Sequence, residues 1–352
     1  SDDPELKTWT KIPNPVIAAP PAGLEVNGFR DPSPWRQGDW WYTVLGAGIA
    51  NRGGAVLLYR SKDLRKWDFL HILAQRDPSS ANPVDPWEVW ECPDFFTLGD
   101  RQVLIYSTLG KSWWQSGKLD PDTMTFHSDQ SGILDYGSFY APKTQLDKAG
   151  NRILWGWIQE ARPEAEYKAA GWAGMMSLPR VLTIAPDGRL GLQVAAEVNA
   201  LRQQEQKLQI TSDEQTNQQA LSAMRLNQCS GEIQLTTHRA SESYELSLAG
   251  SPDDRSPWLR VKYDPAHRDQ VFIDGRPVPL SGAESGPLEC RLHIDGSVIE
   301  LVVNRQIAWT KRFYYSGNVP QDPHMKWQGR TANIVQLSIW PLTPISSDRL
   351  TT

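Results

Sequence analysis

The sequence predicts an all-β protein: a run of propeller-like blades followed by a β-sandwich. Three observations carry this. The 352 residues include 26 Gly and 26 Pro, spread as punctuation between short apolar runs, which is the pattern of many short strands joined by turns. A Pro-ended motif returns three times, as Arg30-Asp31-Pro32, Glu91-Cys92-Pro93 and Tyr140-Ala141-Pro142. Beyond residue 208 the motif is gone, yet apolar and polar residues still alternate with strand period through seven or more segments.

In chain order, residues 1–28 read as the tail of a unit. Thr8-Trp9-Thr10 can form an edge strand, and Pro13, Pro15, Pro20 and Pro21 make the rest an extended connector. Each Pro-ended motif then opens a short strand, a Gly-containing turn and a strongly apolar strand: SPWRQGDWWYTVLGAG, DFFTLGDRQVLIYSTLG and KTQLDKAGNRILWGWIQE. A third strand signal follows each copy. A spacing of roughly 50–60 residues suits propeller blades. The first strand of a blade lines the propeller axis, so three motifs at its start would meet at one mouth of the channel. Residues 1–192 are therefore expected to be a partial propeller. Over 193–207, Val194, Val198 and Leu201 fall at helical spacing, which predicts a linker helix. Residues 208–352 are expected to form the sandwich, with a hairpin turning at Gly296-Ser297.

Composition narrows the partners. A net charge of −5 argues against nucleic acid or an anionic membrane as partner. No apolar run approaches the ~20 residues of a membrane span. No leader segment reads from the sequence, which leaves the compartment open. Cys92, Cys229 and Cys290 form no CxxC pair, and a Cys229–Cys290 bridge is left open. With 6 scattered His and no HExxH pattern, neither a metal nor another cofactor is expected. The 16 Trp are expected mainly in the core, with sugar stacking as the alternative use of such rings.

The chemistry concentrates in Trp90-Glu91-Cys92-Pro93-Asp94-Phe95-Phe96. A carboxylate enclosed by aromatic rings loses hydration and becomes suited to general acid work; the plain alternative is a solvated Glu at a strand start. Asp31 supplies a second carboxylate in an equivalent position.

These residues, in order, resemble a known family. Phe29-Arg30-Asp31-Pro32, Trp90-Glu91-Cys92-Pro93-Asp94, Asp135-Tyr136-Gly137 with Phe139-Tyr140-Ala141, Trp155-Gly156-Trp157, Ser177-Leu178-Pro179-Arg180 and Ala200-Leu201-Arg202 are similar to the motifs of glycoside hydrolase family 32, the invertases, inulinases and levanases. The resemblance implies a five-bladed propeller and a sandwich, acting on terminal β-fructofuranosyl units by a retaining mechanism. It implies Glu91 as general acid/base and Asp31 as the carboxylate that holds fructose hydroxyls. It further implies Arg30 as an orienting group, Cys92 as a group that tunes Glu91, and Tyr140 and Trp155 as pocket lining. Ser138 departs from the Asp that many members carry. The larger departure is the nucleophile: the family's Asp lies in an NDPNG-like motif well upstream of Arg-Asp-Pro, and no such motif is present. Asp3 lies too close to Asp31 for that role. The expectation is an incomplete propeller whose nucleophile and missing blades reside on a complementary polypeptide or a lost segment. An inactive fructoside-binding protein is the alternative from another class, and an arabinoside-cleaving propeller enzyme is a nearer one. Trp87, in the Pro-rich stretch before Glu91, is a candidate contact for an aglycone sugar.

Overall fold

The computed structural model describes residues 1–80, 82–226, 229–251, 256–280, 286–314 and 322–346. The first sheet runs β1 (Val26–Gln37), β2 (Trp40–Ile49), β3 (Gly53–Ser61) and β4 (Asp68–Gln75), paired in sequence order. The second runs β5 (Glu91–Leu98), β6 (Arg101–Thr108), β7 (Lys111–Leu119) and β8 (Phe126–Asp135). The third opens with β9 (Phe139–Leu146) and β10 (Arg152–Ile158). Its next strand comes in two pieces, β11 (Met175–Met176) and β12 (Arg180–Ile184), both paired with β10, and β13 (Leu190–Val194) closes it.

Each blade therefore has a fourth strand that the sequence pattern blurs. In the first blade the apolar run is broken because Asp63 accepts hydrogen bonds from the Arg65 and Lys66 amides (2.8 and 2.9 Å), closing a turn between β3 and β4. A short helix, α1 (Glu164–Ala170), interrupts the third blade. It starts after Pro163 and stops at Gly171, whose φ of 78° is left-handed.

The linker is not the helix expected over 193–207. Residues 193–194 complete β13, a 3-10 helix spans Ala196–Leu201, and β14 (Gln206–Lys207) pairs with a sandwich strand. A genuine α-helix, α2 (Glu214–Ala223), follows; its signal is Asp213, whose carboxylate caps the Gln215 and Thr216 amides.

The sandwich contains β15 (Ser230–Thr237), β16 (Tyr244–Ala249), β17 (Leu259–Tyr263), β18 (Gln270–Ile273), β19 (Arg276–Pro279), β20 (Leu288–Asp295), β21 (Val298–Val303), β22 (Ile307–Arg312), β23 (His324–Gln328) and β24 (Ile334–Pro341). One sheet has the order β14-β24-β15-β20-β21-β22 and the other β19-β18-β17-β16-β23. Alternate residues such as Ile233, Leu246, Val261, Leu292 and Leu301 are buried in one core between the two. The β20–β21 hairpin turns at Gly296-Ser297, with Asp295 opposite Val298. Cys290 lies opposite Leu235, and Cys229 sits six residues before Leu235. That is about 20 Å along the strand, beyond disulfide reach, and none of the three cysteines is in a disulfide.

The chain forms two compact units, residues 1–110 with 115–129 and residues 111–114 with 130–352. The third blade belongs to the same unit as the sandwich. Within that unit the Glu232 carboxylate is fully buried and takes hydrogen bonds from Arg202 (2.7 and 2.8 Å) and Arg291 (2.6 Å). Burial alone would push its carboxyl up, but the neighbouring His293, Arg202 and Arg291 outweigh it and hold the group well below the usual carboxylate range. A pKa depressed by folding contributes stability above the unfolded value of about 4.3 and loses it as pH falls. Urea unfolding is therefore expected to shift to lower midpoints below about pH 4.5, and Glu232→Gln is expected to flatten that acid limb.

Candidate active site

The repeated Pro-ended motif is a repeated backbone bulge. Arg30 and Ser33 pair with Gly46 and Val44, so Asp31 and Pro32 together face Leu45. Glu91 and Asp94 pair with Ser107 and Ile105, so Cys92 and Pro93 face Tyr106. Tyr140 and Lys143 pair with Trp157 and Trp155, so Ala141 and Pro142 face Gly156. In each bulge the residue before Pro is left-handed, with φ of 63° at Asp31, 50° at Cys92 and 50° at Ala141. Pro fits where two residues oppose one, because the extra position has no ladder hydrogen bond to donate. The bulge re-aims the side chains on either side of it, among them the candidate residues Arg30, Asp31 and Glu91.

In the first compact unit two bulges are brought together. Arg30 Nη2 donates to Glu91 Oε1 at 2.7 Å, and Arg30 Nε lies 3.9 Å from Asp31 Oδ2. Asp31 Oδ2 accepts from the Cys92 amide at 2.9 Å, and the Cys92 thiol lies 3.5 Å from the same oxygen. One guanidinium thus bridges two carboxylates carried by segments 61 residues apart. The hydrogen bond to Glu91 is the main reason the Arg30 guanidinium holds its proton even more firmly than usual, more than offsetting partial burial. The side chains of Asp31 and Glu91 are 29% and 28% exposed, so both are reachable from solvent. Asp94 closes the Trp90–Asp94 motif, and the sequence assigns it no role. It is buried and accepts from Ser33 Oγ at 3.0 Å, tying the same two bulges together.

The aromatic residues that flank Glu91 in the sequence are themselves buried. Trp90 is 4% exposed and stacks on Tyr106 at 3.9 Å between ring centroids, while Phe95 and Phe96 lie in the core of the unit. These rings serve packing, where their large apolar area contributes most. Trp90 also positions its neighbour. Its amide donates to Ala47 O (3.2 Å) and its indole to Glu88 Oε1 (3.2 Å), and Glu88 in turn holds Arg76 at 3.1 Å. The crossing needs glycine: a Cβ on Gly46 would lie 2.1 Å from Trp90 O, and one on Gly54 would lie 1.8 Å from the indole. Gly54→Ala is expected to cost about 3 kcal/mol by overpacking and to disturb the Trp90–Tyr106 stack, read as a lower urea midpoint and an altered near-UV circular dichroism spectrum.

The remaining sequence candidates are carried by other segments. Tyr140 and Trp155 belong to the other compact unit, and the register places Trp157, not Trp155, opposite Tyr140. Trp87 is 82% exposed. Asp3 is spent locally: its carboxylate accepts the amides of Glu5, Lys7 and Thr8 at 2.9, 2.9 and 3.2 Å. Among the described residues no three His, Cys, Asp or Glu side chains gather as a metal site would. No helix of the described residues is long and apolar enough to cross a membrane.

Residues 1–193 match the glycosyl hydrolases family 32 N-terminal domain, and residues 197–341 match the family 32 C-terminal domain. The chain belongs to glycoside hydrolase family 32. Sucrose-6-phosphate hydrolase of Escherichia coli is 34% identical over 313 residues, which is 82% of this chain and 61% of that protein. Sucrose-6-phosphate hydrolase of Vibrio alginolyticus is 28% identical over 88% of this chain and 66% of its own length. The chain therefore spans less than two thirds of these relatives. A family 32 β-fructofuranosidase mutant of Bombyx mori, solved with sucrose, superposes with a TM-score of 0.71 at 26% identity, covering 94% of this chain and 68% of that one. Fructan 1-exohydrolase IIa of Cichorium intybus gives a TM-score of 0.76 at 22% identity, covering 97% and 77%, and so shares the fold. The chain therefore has the family's fold of propeller blades followed by a β-sandwich.

Proposed function

We propose that this chain carries the general acid/base portion of a β-fructofuranosidase active on terminal fructosyl units of sucrose, inulin or levan. The observation that supports it best is Arg30 bridging Asp31 and Glu91 across two equivalent bulges. Glu91 protonates the glycosidic oxygen while an Asp carboxylate from a segment outside this sequence attacks the anomeric carbon. The aglycone leaves as the alcohol and a fructosyl ester remains. Glu91 then takes a proton from water, the water oxygen bonds to the anomeric carbon, and the Asp carboxylate departs. Asp31 accepts fructose hydroxyls and faces the positive charge that develops on the ring. Arg30 sets the spacing of the two carboxylates, and Cys92 fixes Asp31 through its amide and thiol. Tyr140 and Trp155 are the proposed apolar lining.

The partner that completes the site is a polypeptide carrying the remaining blades and the nucleophile. The engagement of Asp3 by three backbone amides leaves room for a second reading, a fructoside-binding protein without turnover. Mass analysis of purified material for a second polypeptide, followed by fructose release from sucrose and inulin, separates them. Turnover in the complemented protein supports the hydrolase; fructoside binding without turnover supports the second reading.

A further inference from the structure

The outer face of the six-stranded sandwich sheet carries a polar hollow. Ile233, Leu235, Leu292, Leu301 and Val303 pack into the sandwich core, so the residues between them face outward. Gln234, Arg291 and Val302 align across β15, β20 and β21, and Thr236 and Glu289 form the next row. Aligned residues on neighbouring strands share a face. Gln193 of β13 and the turn between β21 and β22 stand beside these rows, joined where the Leu192 amide donates to Arg305 O at 2.8 Å. The hollow holds about 180 Å³, far beyond the ~15 Å³ that one water needs. Every residue that lines it belongs to the second compact unit.

Its polar groups are only half used. Gln234 donates through Nε2 to Glu232 at 3.0 Å, which leaves its carbonyl oxygen to accept. Asn304 accepts the Glu289 amide through Oδ1 at 2.8 Å, which leaves its NH2 group to donate. Arg291 commits Nε to Glu232 and Nη2 to Asn199, at 2.6 Å each, and among the described residues Nη1 has no partner. The side chains of Gln193, Thr236, Glu289 and Arg305 make no hydrogen bond among the described residues. Arg305 is also unexpected where it stands. The Gln306 amide closes a tight turn on Val303 O at 3.0 Å, with φ of 49° at Asn304 and 55° at Arg305. Such a turn favours Asn followed by Gly, so an Arg there works against the backbone's preference.

We infer that this hollow is a second sugar-binding site, taking one neutral hexose ring. The balance of donors and acceptors selects the ligand. Asn304, Arg291 and Arg305 offer donors, Gln234 and Glu289 offer acceptors, and Gln193 and Thr236 offer both. An anion would meet the Glu289 carboxylate and a cation would meet two arginines, whereas each sugar hydroxyl both donates and accepts. Val302, at the end of the first row, gives the C–H face of the ring an apolar floor. The site does not depend on the hydrolase reading, because a sugar held here without turnover fulfils it equally.

The test is isothermal titration calorimetry of the 352-residue chain with fructose, glucose and inorganic phosphate as probes. Fructose or glucose is expected to bind saturably with a Kd on the order of 1–10 mM. Arg305→Gly is expected to weaken that binding about fivefold or more. Because glycine suits the turn, the variant is expected to keep its Tm within about 3 °C of wild type or to raise it. Gln193→Ala is expected to weaken binding about threefold, and Asp31→Ala to leave this binding unchanged. No saturable sugar binding, or binding that Asp31→Ala abolishes and that is indifferent to Arg305→Gly and Gln193→Ala, overturns the assignment. Phosphate binding that Arg305→Gly removes would give the hollow to an anion and overturn it as well.

Discussion

Glu91→Gln is expected to lower fructose release from sucrose about a thousandfold in the complemented protein, the scale of a lost general acid/base. The amide is nearly the same shape and its oxygen can still accept from Arg30 Nη2, which lies 2.7 Å from Glu91 Oε1, so geometry is preserved while the transferable proton is lost. KM for sucrose is expected to stay within about threefold, since binding of the fructosyl unit falls to Asp31 and Arg30. Stability is expected to change by less than about 1 kcal/mol, because the pair is partly solvated. A substrate whose leaving group needs no protonation, such as p-nitrophenyl β-fructofuranoside, is expected to lose less in the first step, which steady-state and burst kinetics can resolve. Undiminished turnover of sucrose by the variant would remove Glu91 from the acid/base role.

Arg180→Ala is expected to destabilise the second compact unit by about 3–5 kcal/mol, the cost of leaving buried carboxylates without their cation. Arg180 is wholly buried. Its Nη1 donates to Asp135 at 2.8 Å, its Nη2 to Glu300 and Thr310 at 2.7 Å each, and its guanidinium stacks 4.5 Å from the Phe139 ring centroid. Burial opposes its charge, but Glu300 and Asp135 more than offset this and hold the proton firmly. Glu300 also accepts the Leu178 amide at 2.7 Å, and Asp135 accepts the Thr310 amide at 3.0 Å. The network therefore joins the end of β8, β12, β21 and β22, which is why the third blade and the sandwich form one compact unit. Urea unfolding followed by fluorescence measures the loss. Arg180→Lys is expected to recover only part of it, because a point charge cannot serve two carboxylates and a ring stack at once. Equal stability of wild type and Arg180→Ala would show that the buried carboxylates are protonated or hydrated instead.

Several features are legible in residue order alone. The three Pro-ended motifs, their spacing and the apolar strands after them announce the blades, and their positions coincide with the three bulges. Gly296-Ser297 announces its hairpin because a two-residue turn demands such residues. Other features have no local signature. The fourth strand of the first blade hides in a run that looks continuous until Asp63 folds it back. The linker's helical spacing is real, yet Ala196–Leu201 winds as a 3-10 helix between two paired strands. Asp94 and Glu88 give no sign of their burial, because a carboxylate is usually solvated unless a distant partner reaches it. The rings of the motif around Glu91 are themselves buried, and Trp90 anchors the segment by stacking on Tyr106.

Residue type and short spacing suffice for the strand-and-turn rhythm, and the ordered motifs suffice for the family through their resemblance, which is also what nominates Arg30, Asp31 and Glu91. They do not suffice for Arg30 joining carboxylates across 61 residues of chain, for the glycines at 46 and 54 that let Trp90 cross the blade, or for Trp157 rather than Trp155 standing opposite Tyr140. These three outcomes depend on register, bulges and close approach, which are set by contacts between segments distant along the chain.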